Sequence, residues 1–443
     1  MFVFKIIKKD QKSAARVGQI TTSHGIINTP CFIPVGTKAT VKGLTPGDLK
    51  EIGVQILFGN TYHLHLRPGE DTVKKFGGVG RFMGWNGPTI TDSGGFQVFS
   101  LSKSSGRLTH AVRPARQTFS KLQSGTRSLS EIRQQNGSSL NEDSESDFSC
   151  LTGDKSSFAL EETEAPRLVK VTEDGVRFRS HIDGSLHYFT PEESIRIQQK
   201  LGADIILVFD ECAPHTSTYE YTKKAMERTH DWSLRSLKSK VKSQKSTTGN
   251  GQALYGIVQG GVFKDLREES AKFISSLDFD GIAIGGVSVG ESKKQMRDVL
   301  DWVVPFLPED KPRHLLGVGE IDDIFEGVER GMDTFDCVIP TRFGRYGILF
   351  VEPKLSEEKG RYRIDIRKSK YAKDKESISR ICDCFVCQEF TRAYIHHLFR
   401  SNELLAYRLA SYHNLYFIVK LVDKIRESIL NNSFEKMKKE WVL

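Results

Sequence analysis

Long apolar runs are missing from this chain of 443 residues. A membrane-spanning helix needs about 18 or more consecutive apolar residues, and no stretch of the sequence reaches that length. The apolar residues near the N-terminus, within positions 1–10, form too short a run for a secretory signal. The sequence therefore predicts a soluble, cytoplasmic protein.

Cysteine is also scarce, and three of the seven cysteines crowd together at Cys382, Cys384 and Cys387. Spacing this tight favours a metal over disulfides, and a closed tetrahedral zinc site needs a fourth ligand. The candidates for that ligand are His396, His397 and His413. A helix predicted from Thr391 through Leu409 would carry its far end back towards the cysteines. The alternative is a group of three reduced thiols without a metal.

A strong excess of charge of one sign is absent as well. The chain has 64 Lys+Arg against 56 Asp+Glu, for a net charge of +8. This excess is compatible with nucleic-acid binding but does not establish it. The hydrophobic share of 38% is enough for a core, and the length accommodates a barrel domain of about 250 residues with additions.

Eight short apolar runs recur along the chain, most of them separated by helical patterns. Such alternation is typical of parallel βα units, and eight units fit a closed barrel. The runs are 31–35, 54–58, 88–91, 203–209, 253–258, 279–284, 314–316 and 335–339. The sequence thus predicts an α/β protein with a (β/α)8 TIM barrel, and a doubly wound open sheet is the alternative.

A change in composition interrupts the predicted barrel. Residues 103–166 are rich in serine, with a basic first half and an acidic cluster at 142–147, which is typical of a disordered or loosely ordered insertion. We therefore expect four parts. They are 1–102, the first part of the barrel; 103–166, the low-complexity insertion; 167–346, the rest of the barrel; and 347–443, a zinc-binding subdomain with C-terminal helices.

Acidic residues follow or end three of the predicted strands, at Asp92, Asp210 and Asp336. Polar residues at strand C-terminal ends line the active face of an α/β barrel, so we expect these carboxylates to share a pocket. Asp336 precedes a predicted basic loop with Arg342 and Arg345, which indicates a nucleophile or base facing a phosphate-bearing substrate. The alternatives are a structural salt bridge for Asp336 and a plain turn at Asp92.

The segment after the third strand, residues 92–97, reads DSGGFQ. Its two glycines are expected to let the backbone approach a planar ligand closely, and Phe96 is expected to stack on that ligand. Asn60 and His63, which follow the second strand, are either further pocket residues or caps of a loop.

Several motifs occur in order along the chain. They read FGNTYHL at 58–64, DSGGFQVFS at 92–100, FDEC at 209–212, GIVQG at 256–260, GGVSVGE at 285–291 and FDCVIPTR at 335–342, followed by the cysteine cluster. Together they resemble the tRNA-guanine transglycosylases, or queuine tRNA-ribosyltransferases, over nearly the whole chain outside 103–166. The resemblance implies a (β/α)8 barrel with a zinc subdomain. It also implies exchange of the wobble guanine of certain tRNA anticodons for a 7-deazaguanine base, in queuosine biosynthesis.

The resemblance also implies roles for individual residues. Asp336 would be the nucleophile that attacks the ribose C1′, and Asp92 would be the acid and base that handles the base proton. The implied base-binding residues are Ser93, Phe96, Asp210, Gln259, Gly286 and Leu316, with Phe96 and Leu316 on the two faces of the base. The implied anticodon contacts are Arg342 and Arg345. One structural zinc per chain would be held by Cys382, Cys384, Cys387 and His413, in a protein expected to be a homodimer.

The chemistry supports the same reaction without reference to a family. Exchange of a glycosidic base needs no redox cofactor. A carboxylate nucleophile splits the exchange into two displacements, as in retaining glycosidases, and a second carboxylate must move the base proton.

Two positions bear on the choice of incoming base. By resemblance, bacterial-type enzymes carry the equivalents of Val289 and Cys212 and take 7-aminomethyl-7-deazaguanine, whereas eukaryotic-type enzymes carry glycine and valine and accept queuine. A β-branched valine is stiff and cannot move aside at low cost. We therefore expect the aminomethyl base to be preferred over queuine.

The chain departs from the family pattern at His314 and Leu316, where the family usually has tyrosine and methionine. The support of Asp336 is therefore left open. Three alternatives remain: a non-catalytic zinc-containing tRNA-binding subunit of a heterodimeric transglycosylase, an archaeal-type enzyme acting on another tRNA position, and a zinc-dependent RNA-binding protein without chemistry. The non-catalytic subunit would be expected to lack Asp336 and Asp92, and both are present.

Overall fold

A computed structural model of the chain describes residues 2–104, 169–245 and 251–442. The predicted insertion at 103–166 lies outside the described residues except for its first two positions. An antiparallel sheet opens the chain, with strands β1 (Val3–Lys9), β2 (Arg16–Thr22) and β3 (Gly25–Thr29). The buried Arg16 pairs at 2.6 Å with Asp333, immediately before the last barrel strand, and so joins this sheet to the barrel.

Eight parallel strands close into a barrel. In chain order the next strands are β4 (Cys31–Gly36), β5 (Leu57–Gly59), β6 (Thr89–Thr91), β7 (Val169–Thr172), β8 (Gly175–Arg179), β9 (Leu186–Phe189), β10 (Ile205–Leu207), β11 (Ala253–Val258), β12 (Gly281–Ile284), β13 (Arg313–Leu315) and β14 (Thr334–Cys337). The barrel order is β10-β11-β12-β13-β14-β4-β5-β6, and β7, β8 and β9 form a separate antiparallel sheet. The predicted barrel is confirmed, and the open-sheet alternative is wrong.

Helices connect and cover the barrel strands. They are α1 (Pro46–Ile52), α2 (Thr61–Leu66), α3 (Glu70–Lys75), α4 (Val79–Met83), α5 (Gly95–Ser104), α6 (Pro191–Leu201), α7 (Tyr219–Lys245), α8 (Lys264–Ser275), α9 (Lys293–Val303), α10 (Ile321–Glu329), α11 (Ile339–Arg345), α12 (Phe385–Glu389), α13 (Arg392–Arg400), α14 (Leu404–Leu430) and α15 (Phe434–Trp441). Every residue of β11 and β12 is buried, as expected for parallel strands covered on both faces. None of these helices combines the length and apolarity needed to cross a membrane.

The helix predicted from Thr391 through Leu409 is wrong in its extent. The structure has two helices, α13 and α14, which are separated at residues 401–403. Asn402 adopts a left-handed conformation there, with φ of 56°, which asparagine tolerates better than most residues. Helix α14 is 27 residues long and passes the cysteine cluster at His413.

The basic loop predicted after Asp336 is also wrong, because this segment forms helix α11. Pro340 lies in its first turn, where the missing backbone N–H costs nothing. A Cβ at Gly344 would lie only 2.7 Å from the backbone nitrogen of Ser411, so α11 packs closely on α14. Asn414 of α14 also donates to the Pro340 carbonyl at 3.0 Å. Helix α11 is therefore held rigidly beside the barrel end. Two short strands, β15 (Ile348–Phe350) and β16 (Arg363–Asp365), pair after it.

Candidate active site

Three carboxylates meet at the C-terminal end of the barrel. Asp92 follows β6, Asp210 follows the neighbouring β10, and Asp336 lies within β14. Burial raises the pKa of Asp92 to about 7, and the negative charges of Asp336 and Asp210 contribute to the rise. The three side chains are therefore close enough for their charges to interact, and the sequence prediction of a shared pocket matches this arrangement.

Asp92 is held by the residues that begin helix α2. Asn60 donates from Nδ2 to Oδ2 of Asp92 at 2.6 Å, and the backbone N–H of Thr61 donates to Oδ1 at 2.7 Å. The hydroxyl of Thr61 also donates to the Asp92 carbonyl at 2.5 Å. Asn60 caps the helix as well, because its Oδ1 accepts from the backbone of His63. Asn60 is thus both a cap and a pocket residue, and Asp92 is more than a turn residue.

Asp210 lies between two of the predicted base-binding residues. Ser93 donates its hydroxyl hydrogen to Oδ1 of Asp210 at 2.9 Å, and Gln259 donates from Nε2 to Oδ2 at 2.8 Å. Burial raises the pKa of Asp210 to about 6, and the two hydrogen bonds oppose this rise. The strand ends of β6, β10 and β11 therefore converge on one polar group that can accept hydrogen bonds from a planar base.

The second glycine after Asp92 allows a close approach between two segments of the protein. A Cβ at Gly95 would lie 2.6 Å from the carbonyl oxygen of Asp210, so the residue is small because two segments of the protein approach each other. Phe96 stands next to it with 45% of its surface exposed, and Leu316, just past the end of β13, is half-buried.

Arg267 of helix α8 is a site residue that the sequence did not indicate. Its fully buried guanidinium donates to the carbonyls of Gly261 at 2.7 Å, Gly285 at 2.8 Å and Gly286 at 3.0 Å. It thereby ties the loop after β11 to the loop after β12, which contains the predicted base-binding Gly286. Burial lowers the pKa of Arg267 to about 10. An arginine within a helical pattern is normally interpreted as a surface residue, so the sequence did not indicate that Arg267 is buried at the site.

Asp336 pairs with a histidine. Nε2 of His314 lies 3.1 Å from Oδ1 of Asp336, and the backbone N–H of Gly317 donates to the same oxygen at 3.1 Å. Within the described part of the chain, no ion pair joins Asp336 to Arg342 or Arg345. The alternative of a structural salt bridge with one of these arginines is therefore wrong.

Four cations cluster beside the carboxylates: Lys38 and Lys42 after β4, and Arg342 and Arg345 on α11. Burial lowers the pKa of Lys42, and the positive charges of Arg345, Lys38 and Arg342 lower it further. No carboxylate among residues 2–104, 169–245 and 251–442 forms an ion pair with any of the four. Cations that repel one another without an acidic partner are suited to an anion such as a phosphate. The two lysines were not singled out from sequence.

The predicted specificity residues lie on neighbouring loops. Burial raises the pKa of the Cys212 thiol to about 12, so it is uncharged, and the charges of Asp210, Arg267 and Glu291 all act on it. The backbone N–H of Val289 donates to Oε2 of Glu291 at 2.9 Å. This bond holds the loop after β12 in a turn with Val289 half-buried.

A second site lies between α12 and α14. The potential ligand atoms of Cys382, Cys384, Cys387 and His413 all lie within 4.8 Å of one another. His396 instead directs Nδ1 to the carbonyl of Ile366 at 2.8 Å, and His397 is exposed. Of the three candidate histidines left open by the sequence, only His413 therefore joins the cysteines.

The geometry of this cluster fits a tetrahedral metal. Nδ1 of His413 lies 3.8 Å from Sγ of Cys382, 3.6 Å from Sγ of Cys384 and 3.3 Å from Sγ of Cys387. Zinc at its usual bond lengths would separate the nitrogen from each sulfur by about 3.6 Å. Nε2 of His413 faces the Phe350 carbonyl at 2.8 Å, so it carries the proton and leaves Nδ1 free to bind a metal. The four residues can hold a metal ion.

The chain also matches a known protein family. The model of the family described as queuine tRNA-ribosyltransferase matches residues 10–131 and 121–443. The chain belongs to the queuine tRNA-ribosyltransferase family. Its members are tRNA-guanine transglycosylases, so the chain is an enzyme of the pentosyltransferase class.

Similarity to individual members of the family extends along nearly the whole chain. A queuine tRNA-ribosyltransferase of Caldanaerobacter subterraneus subsp. tengcongensis is 44% identical over 439 residues, covering 99% of this chain and 96% of the relative. One from a Roseiflexus species is 44% identical over 444 residues, covering 99% and 98%. A putative queuine tRNA-ribosyltransferase of Archaeoglobus fulgidus is 44% identical over 429 residues, covering 96% of each chain.

Proposed function

We propose that this enzyme replaces the wobble guanine of tRNA anticodons with a 7-deazaguanine base, through a covalent link between Asp336 and the ribose. The observation that carries the proposal is the meeting of Asp92, Asp210 and Asp336 at one end of the barrel, with the charges of the other two acting on Asp92. One carboxylate is needed as nucleophile, one as acid and base, and one to bind the base.

The first step removes guanine. The free carboxylate oxygen of Asp336 attacks C1′, and the bond from C1′ to N9 breaks with its electron pair going to the base. Protonated Asp92 supplies a proton to the leaving guanine. A pKa of about 7 keeps a large share of Asp92 protonated at neutral pH, which suits this task.

The second step reverses these roles. The carboxylate form of Asp92 takes the N9 proton of the incoming 7-deazaguanine, and N9 attacks C1′ while Asp336 leaves. Two displacements at one carbon retain its configuration, as in retaining glycosidases. The same pKa near 7 lets Asp92 act as a base in this step.

Base recognition is assigned to Ser93, Asp210, Gln259 and Gly286, with Phe96 and Leu316 on the two faces of the base. Asp210 accepts hydrogen bonds from Ser93 and Gln259, which leaves the group ordered before a base arrives. A carboxylate can accept further donors from the edge of a guanine. Gly286 contributes backbone groups, and the buried Arg267 fixes its peptide.

The tRNA backbone is assigned to the cation cluster of Lys38, Lys42, Arg342 and Arg345. Phosphate contacts position a nucleic acid and make its binding sensitive to salt. The cluster adjoins Asp336 through α11, which follows β14 directly.

A structural zinc is assigned to Cys382, Cys384, Cys387 and His413. The metal would supply a covalent anchor between α12 and α14 and no chemistry at the barrel. His413 is followed by Asn414, which donates to carbonyls next to both ends of α11, Pro340 and Ile348. The zinc site therefore supports the helix that carries the arginines.

The proposal retains the expected preference for 7-aminomethyl-7-deazaguanine, the four-part division of the chain, and a cytoplasmic homodimer. The base preference rests on Val289 and Cys212. The four-part division and the cytoplasmic homodimer rest on the sequence and the resemblance. The alternative, a non-catalytic zinc-containing tRNA-binding subunit of a heterodimer, would need none of the support that Asn60 and Thr61 give to Asp92.

Base exchange with the isolated protein tests the proposal. Labelled guanine or 7-aminomethyl-7-deazaguanine is incubated with the protein and a tRNA transcript that has a wobble guanine, and label in the tRNA is counted. A transcript with adenine at that single position is the matched control. Incorporation into the first transcript alone is expected. Binding of both bases and tRNA without incorporation would favour the non-catalytic subunit.

A further inference from the structure

His314 of strand β13 is fully buried and both of its ring nitrogens are engaged. Nε2 lies 3.1 Å from Oδ1 of Asp336, and Nδ1 lies 2.9 Å from the hydroxyl oxygen of Thr334. The ring also stacks on Phe58 of β5, with centroids 6.2 Å apart and planes 22° apart. The imidazole is therefore fixed in position and in plane by three neighbours.

The hydrogen-bond partners determine where the imidazole carries its proton. A carboxylate only accepts hydrogen bonds, so Nε2 must carry a hydrogen that it donates to Asp336. Nδ1 of the neutral ring then accepts from the Thr334 hydroxyl. The neutral imidazole satisfies both of these hydrogen bonds. The register of the barrel strands produces this arrangement. His314 lies directly opposite Thr334, and Thr334 is two residues before Asp336 on β14.

The contact orients the carboxylate of Asp336. Oδ1 receives two donors, the imidazole N–H and the backbone N–H of Gly317, both at 3.1 Å. No described residue donates a hydrogen bond to Oδ2. One oxygen is thus engaged by the protein and the other is left for a reacting atom.

We propose that His314 is a positioning residue that donates to Oδ1 of Asp336 and thereby aims Oδ2 at the ribose C1′. The inference rests on the proposed role of Asp336 as nucleophile. It concerns a position at which this chain departs from the family it resembles, where tyrosine is usual. At this position the buried imidazole between Thr334 and Asp336 provides a hydrogen-bond donor to the carboxylate.

Three variants separate positioning from mere packing. His314→Leu keeps apolar bulk and removes the donor. His314→Gln restores an N–H near the place of Nε2. Thr334→Val is nearly isosteric and removes the hydroxyl that sets the ring's tautomer. For each, adduct formation with tRNA is measured in a single turnover, and tRNA affinity and melting temperature are measured in parallel.

We expect His314→Leu to slow adduct formation about 10- to 100-fold, the range for loss of a hydrogen bond to a charged group. Affinity for tRNA should change less than about twofold, since His314 is buried away from the RNA. His314→Gln should recover most of the lost rate, and Thr334→Val should lose several-fold. If His314→Leu does not fold, the glutamine and valine variants still decide the question.

Two outcomes would overturn the inference. One is a wild-type rate of adduct formation in His314→Leu or, should that variant not fold, in Thr334→Val. The other is an equal loss in the leucine and glutamine variants that follows their melting temperatures. Asp336→Asn is run alongside them: if it still forms the adduct, the proposed nucleophile is wrong, whereas its failure together with an unaffected His314→Leu overturns only the positioning role.

Discussion

Asn60 donates a hydrogen bond from Nδ2 to Oδ2 of Asp92 at 2.6 Å. The donor is itself fixed, because its Oδ1 caps helix α2 by accepting from the backbone of His63 at 3.0 Å. The N-terminus of helix α2, which follows β5, thus holds Asp92, which follows the next strand, β6. This support fixes the orientation of the Asp92 carboxylate.

The two steps of exchange should depend on pH in opposite directions. The pKa of Asp92 is raised to about 7. In the proposed mechanism, adduct formation needs its acid form, whereas transfer to the new base needs its carboxylate. Adduct formation should therefore slow as pH rises through about 7, and base incorporation from a preformed adduct should accelerate. Rapid-quench measurement of each step over about two pH units on either side checks both slopes.

Asp92→Asn should slow exchange about 10²-fold or more and abolish these pH dependences. Its affinity for tRNA should be kept. The exposed Asp310, substituted in the same way, is a matched control that should leave rates and profiles unchanged. Wild-type rates with unaltered slopes in Asp92→Asn would remove Asp92 from proton transfer.

The cluster of three cysteines and His413 should hold zinc, and loss of the zinc should lower the stability of the protein. The protein should carry about one zinc per chain, and His413→Ala should lose metal and melt at lower temperature. His397→Ala, at an exposed position nearby, is the control and should keep full zinc. Elemental analysis of the purified variants decides this, and full occupancy in His413→Ala would reject the ligand set.

Removal of single cations should change the salt dependence of tRNA binding. Each phosphate contact adds about 0.7 to 0.9 to the slope of log affinity against log salt, so Arg342→Ala, Arg345→Ala, Lys38→Ala and Lys42→Ala should each flatten the slope by up to that amount. Lys436→Ala on α15 is the control. Lys438 of the same helix pairs with Glu329, which lies just before the start of β14. Helix α15 is therefore at the opposite end of the barrel from the cation cluster. Unchanged slopes in all four variants would place the RNA backbone elsewhere.

The choice of incoming base should depend on Val289. Overfilling a packed pocket costs about 1–3 kcal/mol, or about 5- to 150-fold, and within that range we expect kcat/KM to favour 7-aminomethyl-7-deazaguanine over queuine by at least about tenfold. Val289→Gly should narrow that ratio. Competition between the two bases measures it directly. Equal or better use of queuine by the wild-type protein would show that Val289 does not set the choice.

The barrel was predictable because each strand is an apolar run that is covered on both faces, and such runs stand out in a sequence. The pocket acids were predictable for a related reason, since they end or follow those runs. Contacts that depend on a distant partner were not predictable. Helix α11 is stabilised by α14, Gly95 is small because Asp210 approaches it, and His314 meets Asp336 through the register of two strands. A sequence shows which residue is present but not which residue lies opposite.

The helix break at residues 401–403 illustrates the same limit. The apolar pattern of the two helices runs on without a proline or glycine, so the sequence favoured one helix. Asn402 interrupts the helical path by adopting a left-handed conformation, and α14 packs on α11 further along, where Gly344 meets Ser411.

Trapping of the covalent adduct tests most directly whether Asp336 forms a bond to the ribose. Wild-type protein and Asp336→Asn are each mixed with a wobble-guanine tRNA, denatured, and resolved on a gel, with zinc content and melting temperature confirming that both are folded. We expect an RNA–protein band for the wild type that disappears when excess 7-deazaguanine base is added before denaturation, and no band for Asp336→Asn. A band of equal strength from folded Asp336→Asn, or none from an active wild type, would contradict it.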